Sequence, residues 1–164
     1  EMQSRCAELL AQEGYEQYEI SAWARPGNEC RHNLNYWGYG DFVGIGAGAH
    51  GKITAPPGQE IRRRIRLRHP RSWMQAVPAG TQLAEDRVLK SEERIFEFFL
   101  NQLRLRRGVD MARFTARTGL GREQVEGRIE QAIESGLLKE ENGMLKHTAL
   151  GWRFINEIQA VFLP

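Results

Sequence analysis

The residues with the most chemical potential cluster between positions 30 and 51, in CRHNLNYWGYGDFVGIGAGAHG. Cys30 and His32 lie two apart, and His50 and His69 are the other imidazoles nearby. Structural zinc wants four ligands, usually as paired C-x-x-C or H-x₃₋₅-H units. No such spacing occurs, which argues against zinc. A single axial imidazole or thiolate on haem iron obeys no spacing rule, so composition leaves it open for His32 and for Cys30. The plainer reading of His32 from its own neighbourhood is a loop histidine making hydrogen bonds. Gly46, Gly48 and Gly51 spell G-x-G-x-x-G, but a dinucleotide site needs a helix directly afterwards. Here KITAPPG follows, and the region about twenty positions on is arginine rather than acid. These glycines suit a tight backbone turn or the close approach of a flat ligand. No nucleophile-elbow pattern surrounds Cys30 or His32.

These residues sit in a chain of 164 residues, 41% hydrophobic and 27% charged, with a formal net charge of +2. That is a globular composition, too apolar and too balanced for disorder. The charge excess is too small to suggest nucleic acid by itself. Two cysteines, with no signal peptide and no apolar run of membrane length, suit reduced cytoplasmic thiols. The chain opens at Glu1 within a helical pattern, which suggests a piece of a longer protein.

Several elements can be placed. Met2, Cys6, Leu9 and Leu10 share one face of a helix over 2–13, closed by Gly14. YEQYEIS alternates as a short strand over 15–21, ARPGNE is a turn, and the apolar run DFVGIGAG predicts a buried strand over 41–48. TAPPGQ reads as a loop. In EIRRRIRLRHP, Ile61, Arg63, Ile65 and Leu67 share one face, and Arg62, Arg64, Arg66 and Arg68 the other. A charge-guarded edge strand is expected, with an anion-facing strand as the second reading. Residues 69–90 read as a connector with one short helix near Ser72.

Beyond position 90 the signals sharpen. Ser91 is the expected N-cap of a helix bearing Ile95, Phe98, Phe99, Leu100 and Leu103. Asp110 caps a second helix that Gly119 closes. A third runs over 122–136, with Val125, Ile129 and Ile133 inward. Asn142-Gly143 turns a hairpin, and Thr148 caps a last helix. This order is that of a winged helix. DNA binding is not expected, because Glu123, Glu126, Glu130 and Glu134 outnumber Arg122 and Arg128 on the helix that would enter a groove.

Residues 15–51 resemble a known family, the oxygen-independent coproporphyrinogen III oxidase-like radical S-adenosylmethionine proteins. The likeness rests on YEIS at Tyr18–Ser21, on His32-Asn33-Leu34-Asn35-Tyr36-Trp37 as H-N-x-x-Y-W, and on GIGAGAHG at Gly44–Gly51. The H-N-x-x-Y-W motif is closest to the haem-chaperone branch. The later region resembles the family's C-terminal helical domain through a less distinctive pattern.

The resemblance implies an α+β fold. The last αβ elements of a partial (β/α) barrel would occupy 1–55, a strand and connector 56–89, and a winged-helix-like domain 90–164. It implies haem as ligand and cargo, with His32 as iron ligand and Asn33, Tyr36 and Trp37 in contact. Cys30 is an alternative ligand, and Gly44, Gly46 and Gly48 form a loop near the barrel site. It implies delivery to respiratory haem proteins, with peripheral membrane association of the parent. Anaerobic oxidative decarboxylation of coproporphyrinogen III is the alternative function, and a winged-helix interaction module a further one. A [4Fe-4S] cluster and S-adenosylmethionine are expected only in the full-length parent, because Cys6 and Cys30 cannot form the family's C-x-x-x-C-x-x-C loop. No residue of this chain is expected to be catalytic.

Overall fold

The computed structural model describes residues 2–55 and 60–164. Positions 56–59 of the expected TAPPGQ loop lie outside the described residues. Helix α1 (Met2–Gln12) leads through Gly14 (φ +78°) into a two-stranded antiparallel hairpin, β1 (Glu16–Glu19) and β2 (Ala22–Ala24). β2 was hidden in sequence, where three residues against a turn give no periodicity. A seven-residue helix, α2 (Arg31–Trp37), then carries the H-N-x-x-Y-W motif.

The strand expected over 41–48 is displaced. Residues 43–48 form a loop, with Gly46 and Gly48 at φ +98° and +69°. The strand begins at β3 (His50–Ala55) instead, and residue 42 touches it only through a Phe42–Lys52 bridge. Left-handed glycines cannot continue a pleat, while Lys52, Ile53 and Thr54 can.

β3 pairs with β4 (Glu60–Arg66), and β4 with β5 (Leu83–Val88), all antiparallel. The arginine strand is therefore central, not an edge. The expected connector contains helix α3 (Pro70–Ala76) and also the whole of β5. The two predicted faces of β4 are as expected. Ile61 is fully buried and Arg63 faces inward, while Arg62 and Arg64 both bind Asp86 on the outer face, at 2.9 and 3.1 Å.

The remaining elements keep the predicted order, with a short strand β6 added, the third helix starting four residues later than expected and the last helix split in two: α4 (Ser91–Gln102), β6 (Val109–Asp110), α5 (Met111–Thr118), α6 (Glu126–Glu134), β7 (Leu138–Glu141), β8 (Met144–His147), α7 (Ala149–Arg153) and α8 (Ile155–Val161). The N-cap of α4 is Lys90 rather than Ser91. Its N–H donates to the Glu93 carboxylate (2.9 Å), so a glutamate reaching back does the capping. Asp110 accepts from Ala112 N and Thr148 from Gly151 N, as expected of caps. Asn142 and Gly143 both have positive φ, as a two-residue hairpin turn requires. The last helix breaks at Phe154, where ψ reaches +47°.

One core joins these parts. Phe98, Phe99 and Phe114 pack edge-on or tilted, and Phe162 stacks on Phe99 with ring centres 3.7 Å apart. Tyr39, Ile61 and Leu89 from the preceding segments enter the same cluster. β1 docks on the turn after α4, where Ile20 N donates to Arg104 O and Arg106 N to Tyr18 O.

His147 closes this turn from the other side. Its ring nitrogen Nε2 donates to Leu103 O (2.9 Å), and Nδ1 is buried without a partner. Burial pushes its pKa down to about 4, aided by Arg106. The unfolded chain takes up a proton on this ring below about pH 6.5, which the folded chain refuses until about pH 4. Stability should therefore fall with pH across that window. Urea unfolding at pH 7 and pH 4.5 should show a loss of about 1–3 kcal/mol from this group. His147→Gln, which keeps a donor and does not titrate, should show a correspondingly smaller loss.

Candidate functional site

The site is built on α2 and the loop after it. Cys30 is the N-cap residue, and its carbonyl accepts from Leu34 N (2.9 Å). The Cys30 thiol is free and exposed. His32 lies in the first turn and is also exposed. Four residues on, Tyr36 stands on the same helical face. It is half-buried and lines a groove of about 390 Å³ with Arg63, Phe96, Glu97 and Leu100. The open imidazole and the groove-lining phenol thus occupy neighbouring turns.

The other motif residues face the protein. Asn33 donates from Nδ2 to the Tyr18 hydroxyl (3.1 Å), tying α2 to β1. Trp37 packs edge-on against Tyr36, with ring centres 4.9 Å apart, and the Arg104 guanidinium lies over its ring at 4.2 Å. Its Nε1 is buried without a partner. Arg104 in turn reaches the buried carboxylate of Glu19 at 3.5 Å, and Glu19 also accepts from Ser21 N and Oγ. One face of Trp37 is therefore covered by protein, whereas Tyr36 borders open space.

The chain leaving α2 is tightly constrained. Gly40 N donates to Asn35 O, and Asn35 Nδ2 donates to Asp41 O. Between them Tyr39 is wholly buried in the left-handed region (φ +56°), a conformation that costs a non-glycine residue about 1–2 kcal/mol. Its ring lies beneath Lys52 Nζ at 4.1 Å, and its hydroxyl donates to Glu97 (3.3 Å). Burial and then the Glu97 charge push the Tyr39 pKa far above its ordinary value, so it is a neutral donor.

Lys52, itself only 1% exposed, donates to Asp41 (2.9 Å), which also accepts from Thr54 N and Oγ1. Burial lowers the Lys52 pKa against the opposing pull of Asp41. Burial raises that of Asp41, but its hydrogen bonds from Lys52 and Thr54 outweigh this and hold it below the ordinary value. Sequence reasoning passed over Asp41, Lys52 and Tyr39. The only local signal was a lysine between a glycine and an isoleucine at the start of a strand.

Gly44, Gly46 and Gly48 shape the loop in different ways. A Cβ at Gly44 would fall on the His50 carbonyl, and Gly44 O accepts from Arg66 Nε (2.7 Å). Gly46 has open space around it but a φ of +98°. The loop thus presents Val43 and Ile45 to solvent, 69% and 83% exposed. His50 is exposed. Among the described residues no group of three or more His, Cys, Asp or Glu side chains could hold a metal ion.

This geometry sets the cost of changing the loop and its anchor. Lys52→Ala should cost about 2–4 kcal/mol in urea unfolding, and Lys52→Met, which keeps the buried stem, should cost less. Gly44→Ala must move backbone and should cost about 2–3 kcal/mol. Gly46→Ala meets nothing and should cost only its dihedral strain, about 1–2 kcal/mol. Thermal unfolding of the two glycine variants side by side would rank them.

Comparisons with known proteins place the chain among relatives of similar sequence and fold. Residues 89–154 match the family model of the HemN C-terminal domain. The chain is 42% identical over 156 residues to the heme chaperone HemW of Escherichia coli and 40% identical to that of Haemophilus influenzae. Each alignment covers 95% of this chain. A heme chaperone HemW of Mycobacterium tuberculosis is 35% identical over 143 residues, covering 87% of this chain and 33% of that protein. The chain spans about 40% of the length of the first two relatives. Among solved structures it resembles the coproporphyrinogen III oxidase HemN of Escherichia coli, a radical SAM enzyme, with a TM-score of 0.68. That match covers 97% of this chain and 39% of the other at 18% identity, so it speaks to fold alone.

Proposed function

We propose that this chain, HemW-like in sequence and HemN-like in fold, carries part of the haem-contacting surface of a radical SAM haem chaperone. The observation that carries the reading is the placement of the H-N-x-x-Y-W residues. His32 is exposed in the first turn of α2, and Tyr36 borders an open groove on the same helical face. A neutral imidazole in that position can donate its lone pair to haem iron, and the exposed Cys30 thiol two residues earlier is the alternative donor. Tyr36 offers an aromatic edge to a macrocycle. Asn33 and Trp37 support the reading as positioning residues, since they bind Tyr18 and Arg104 and fix the helix that presents His32. Gly44, Gly46 and Gly48 are assigned to the loop that leads from α2 to β3.

The arginine strand contributes less than its sequence suggested. Arg62 and Arg64 are held by Asp86 and Arg63 by Glu97, so none of these three is free to meet a propionate.

In this reading haem is cargo, received from solution and delivered to respiratory haem proteins, in the cytoplasm or at the membrane surface. No helix of the described residues is long and apolar enough to cross a membrane. A [4Fe-4S] cluster and S-adenosylmethionine do not fit the residues present. Cys6 and Cys30 are two exposed thiols 24 positions apart in sequence, and a cluster loop needs three thiolates together. Radical chemistry, if the whole protein performs it, is assigned outside this chain. The helix–strand–helix–helix–hairpin order of 91–147 is that of a winged helix. We assign it to holding α2 rather than to DNA, because Arg122 is bound by Glu126 and Glu140, and Arg128 by Glu92.

The test is a haem titration of the full-length protein followed by its Soret band. His32→Ala should weaken binding and shift the band, while Cys30→Ser should leave both in place. Unchanged affinity and spectrum in His32→Ala would remove the ligand assignment, and a shift confined to Cys30→Ser would transfer it to the thiolate.

A further inference from the structure

A second group of charges lies beyond the motif face of α2. Arg107 and Arg113 line one small groove of about 190 Å³, together with Gln102, Gly108, Asp110 and Met144. Arg107 belongs to the turn after α4, and Arg113 to the first turn of α5. Among the described residues neither guanidinium has a carboxylate within ion-pair distance; the ion pairs at this end of the molecule involve Arg104 and Arg122 instead. Asp110, the acid in the groove, uses one oxygen to cap α5 at Ala112 N (2.9 Å). Burial and the like charge of Arg113 both oppose the charge on Arg107, and Asp110 offsets them only in part.

Gln102, which also lines the groove, is a candidate third donor. Gln102 is only 1% exposed, yet its side-chain Nε2 is buried without a hydrogen-bond partner. A buried amide left in this way is unfavourable unless something accepts from it. Gly108 (φ +87°) lets the backbone run against Leu145, where any Cβ would collide. The far side of the groove meets α2, since a Cβ at Gly38 would stand 3.1 Å from Arg113 Nη1.

Two like-charged guanidinium groups without a paired carboxylate, beside a buried amide without a partner, form a donor set that suits an anion. Planar guanidinium groups bind carboxylates and phosphates through paired N–H···O bonds. We propose that this groove is an oxyanion site, in which Arg107 and Arg113 clamp a carboxylate or phosphate group of a small ligand and Gln102 donates to it. The assignment is independent of the haem reading, because it uses neither His32 nor Tyr36.

Side-chain ¹⁵N resonances test it directly. The protein is titrated with sodium succinate and, separately, with inorganic phosphate, against sodium chloride at matched ionic strength. The Arg107 and Arg113 Nε–H signals and the Gln102 amide pair should shift saturably with an oxyanion and not with chloride. The tighter of the two titrants identifies the ligand group as carboxylate or phosphate. Arg107→Ala alters an exposed residue and should weaken binding about tenfold or more with the melting temperature kept. Arg113→Ala should weaken binding likewise. Shifts no greater than those in chloride, or an undiminished affinity in a folded Arg107→Ala variant, would overturn the proposal.

Discussion

The central constraint on this molecule is a row of three cations across the inner face of the β3–β4–β5 sheet. Lys52, Arg63 and Arg87 are direct cross-strand neighbours in the register. Like charges placed opposite each other destabilise a sheet unless each is matched. Each one is matched here: Lys52 by Asp41 at 2.9 Å, Arg63 by Glu97 at 2.7 Å and Arg87 by Glu93 at 2.6 Å. Glu93 and Glu97 lie one turn apart on α4, so one helical face supplies two of the three partners. Exposure of the cations rises along the row, from 1% through 15% to 45%. Because desolvation grows with depth, the Lys52 end is the one that tolerates least disturbance.

That buried end is also where the motif loop is fastened. Asp41 lies four residues beyond α2, and Lys52 opens the sheet. Against Lys52 lies the Tyr39 ring, whose hydroxyl reaches the same Glu97 that binds Arg63. The left-handed backbone at Tyr39 is thus over-determined by a cation on its face, a carboxylate at its tip and the aromatic core beside Phe98. Strain of about 1–2 kcal/mol is small against such a set of contacts. Its effect is to set the direction in which the chain leaves α2.

The same interaction explains what the sequence did and did not reveal. Beyond position 90 each helix announces itself, because caps, apolar stripes and closing glycines are local signals. Asp110 with Gly119, and Asn142 with Gly143, could be placed from neighbours alone. The strand β5, LAEDRV, gave no such signal. Its inward face carries Glu85 and Arg87, so it is closed by ion pairs instead of apolar side chains, and hydrophobic alternation is blind to that. β4 looked like an edge for a related reason: its arginines suggested solvent, whereas the partners that neutralise them, Asp86 and Glu97, are distant in sequence. The motif helix was equally silent. RHNLNYW has no fully buried residue and no side-chain cap, and it is held by the distant groups Tyr18 and Arg104. The motif residues could be picked out by resemblance, but their division into outward His32 and Tyr36 and inward Asn33 and Trp37 needed three dimensions.

This division also bears on why the C-terminal elements accompany the motif at all. α2 is too short to stand alone; isolated helices of its length are unstable in water. Its supports come largely from beyond position 90. Arg104 covers Trp37, Glu97 receives Tyr39, Arg113 abuts Gly38, and the backbone of residues 104–106 receives β1, to which Asn33 is tied. In this architecture the helical region backs α2: Arg104 covers Trp37 of the motif, and Arg113 and Glu97 hold the two residues that follow it, while His32 on the other side stays exposed.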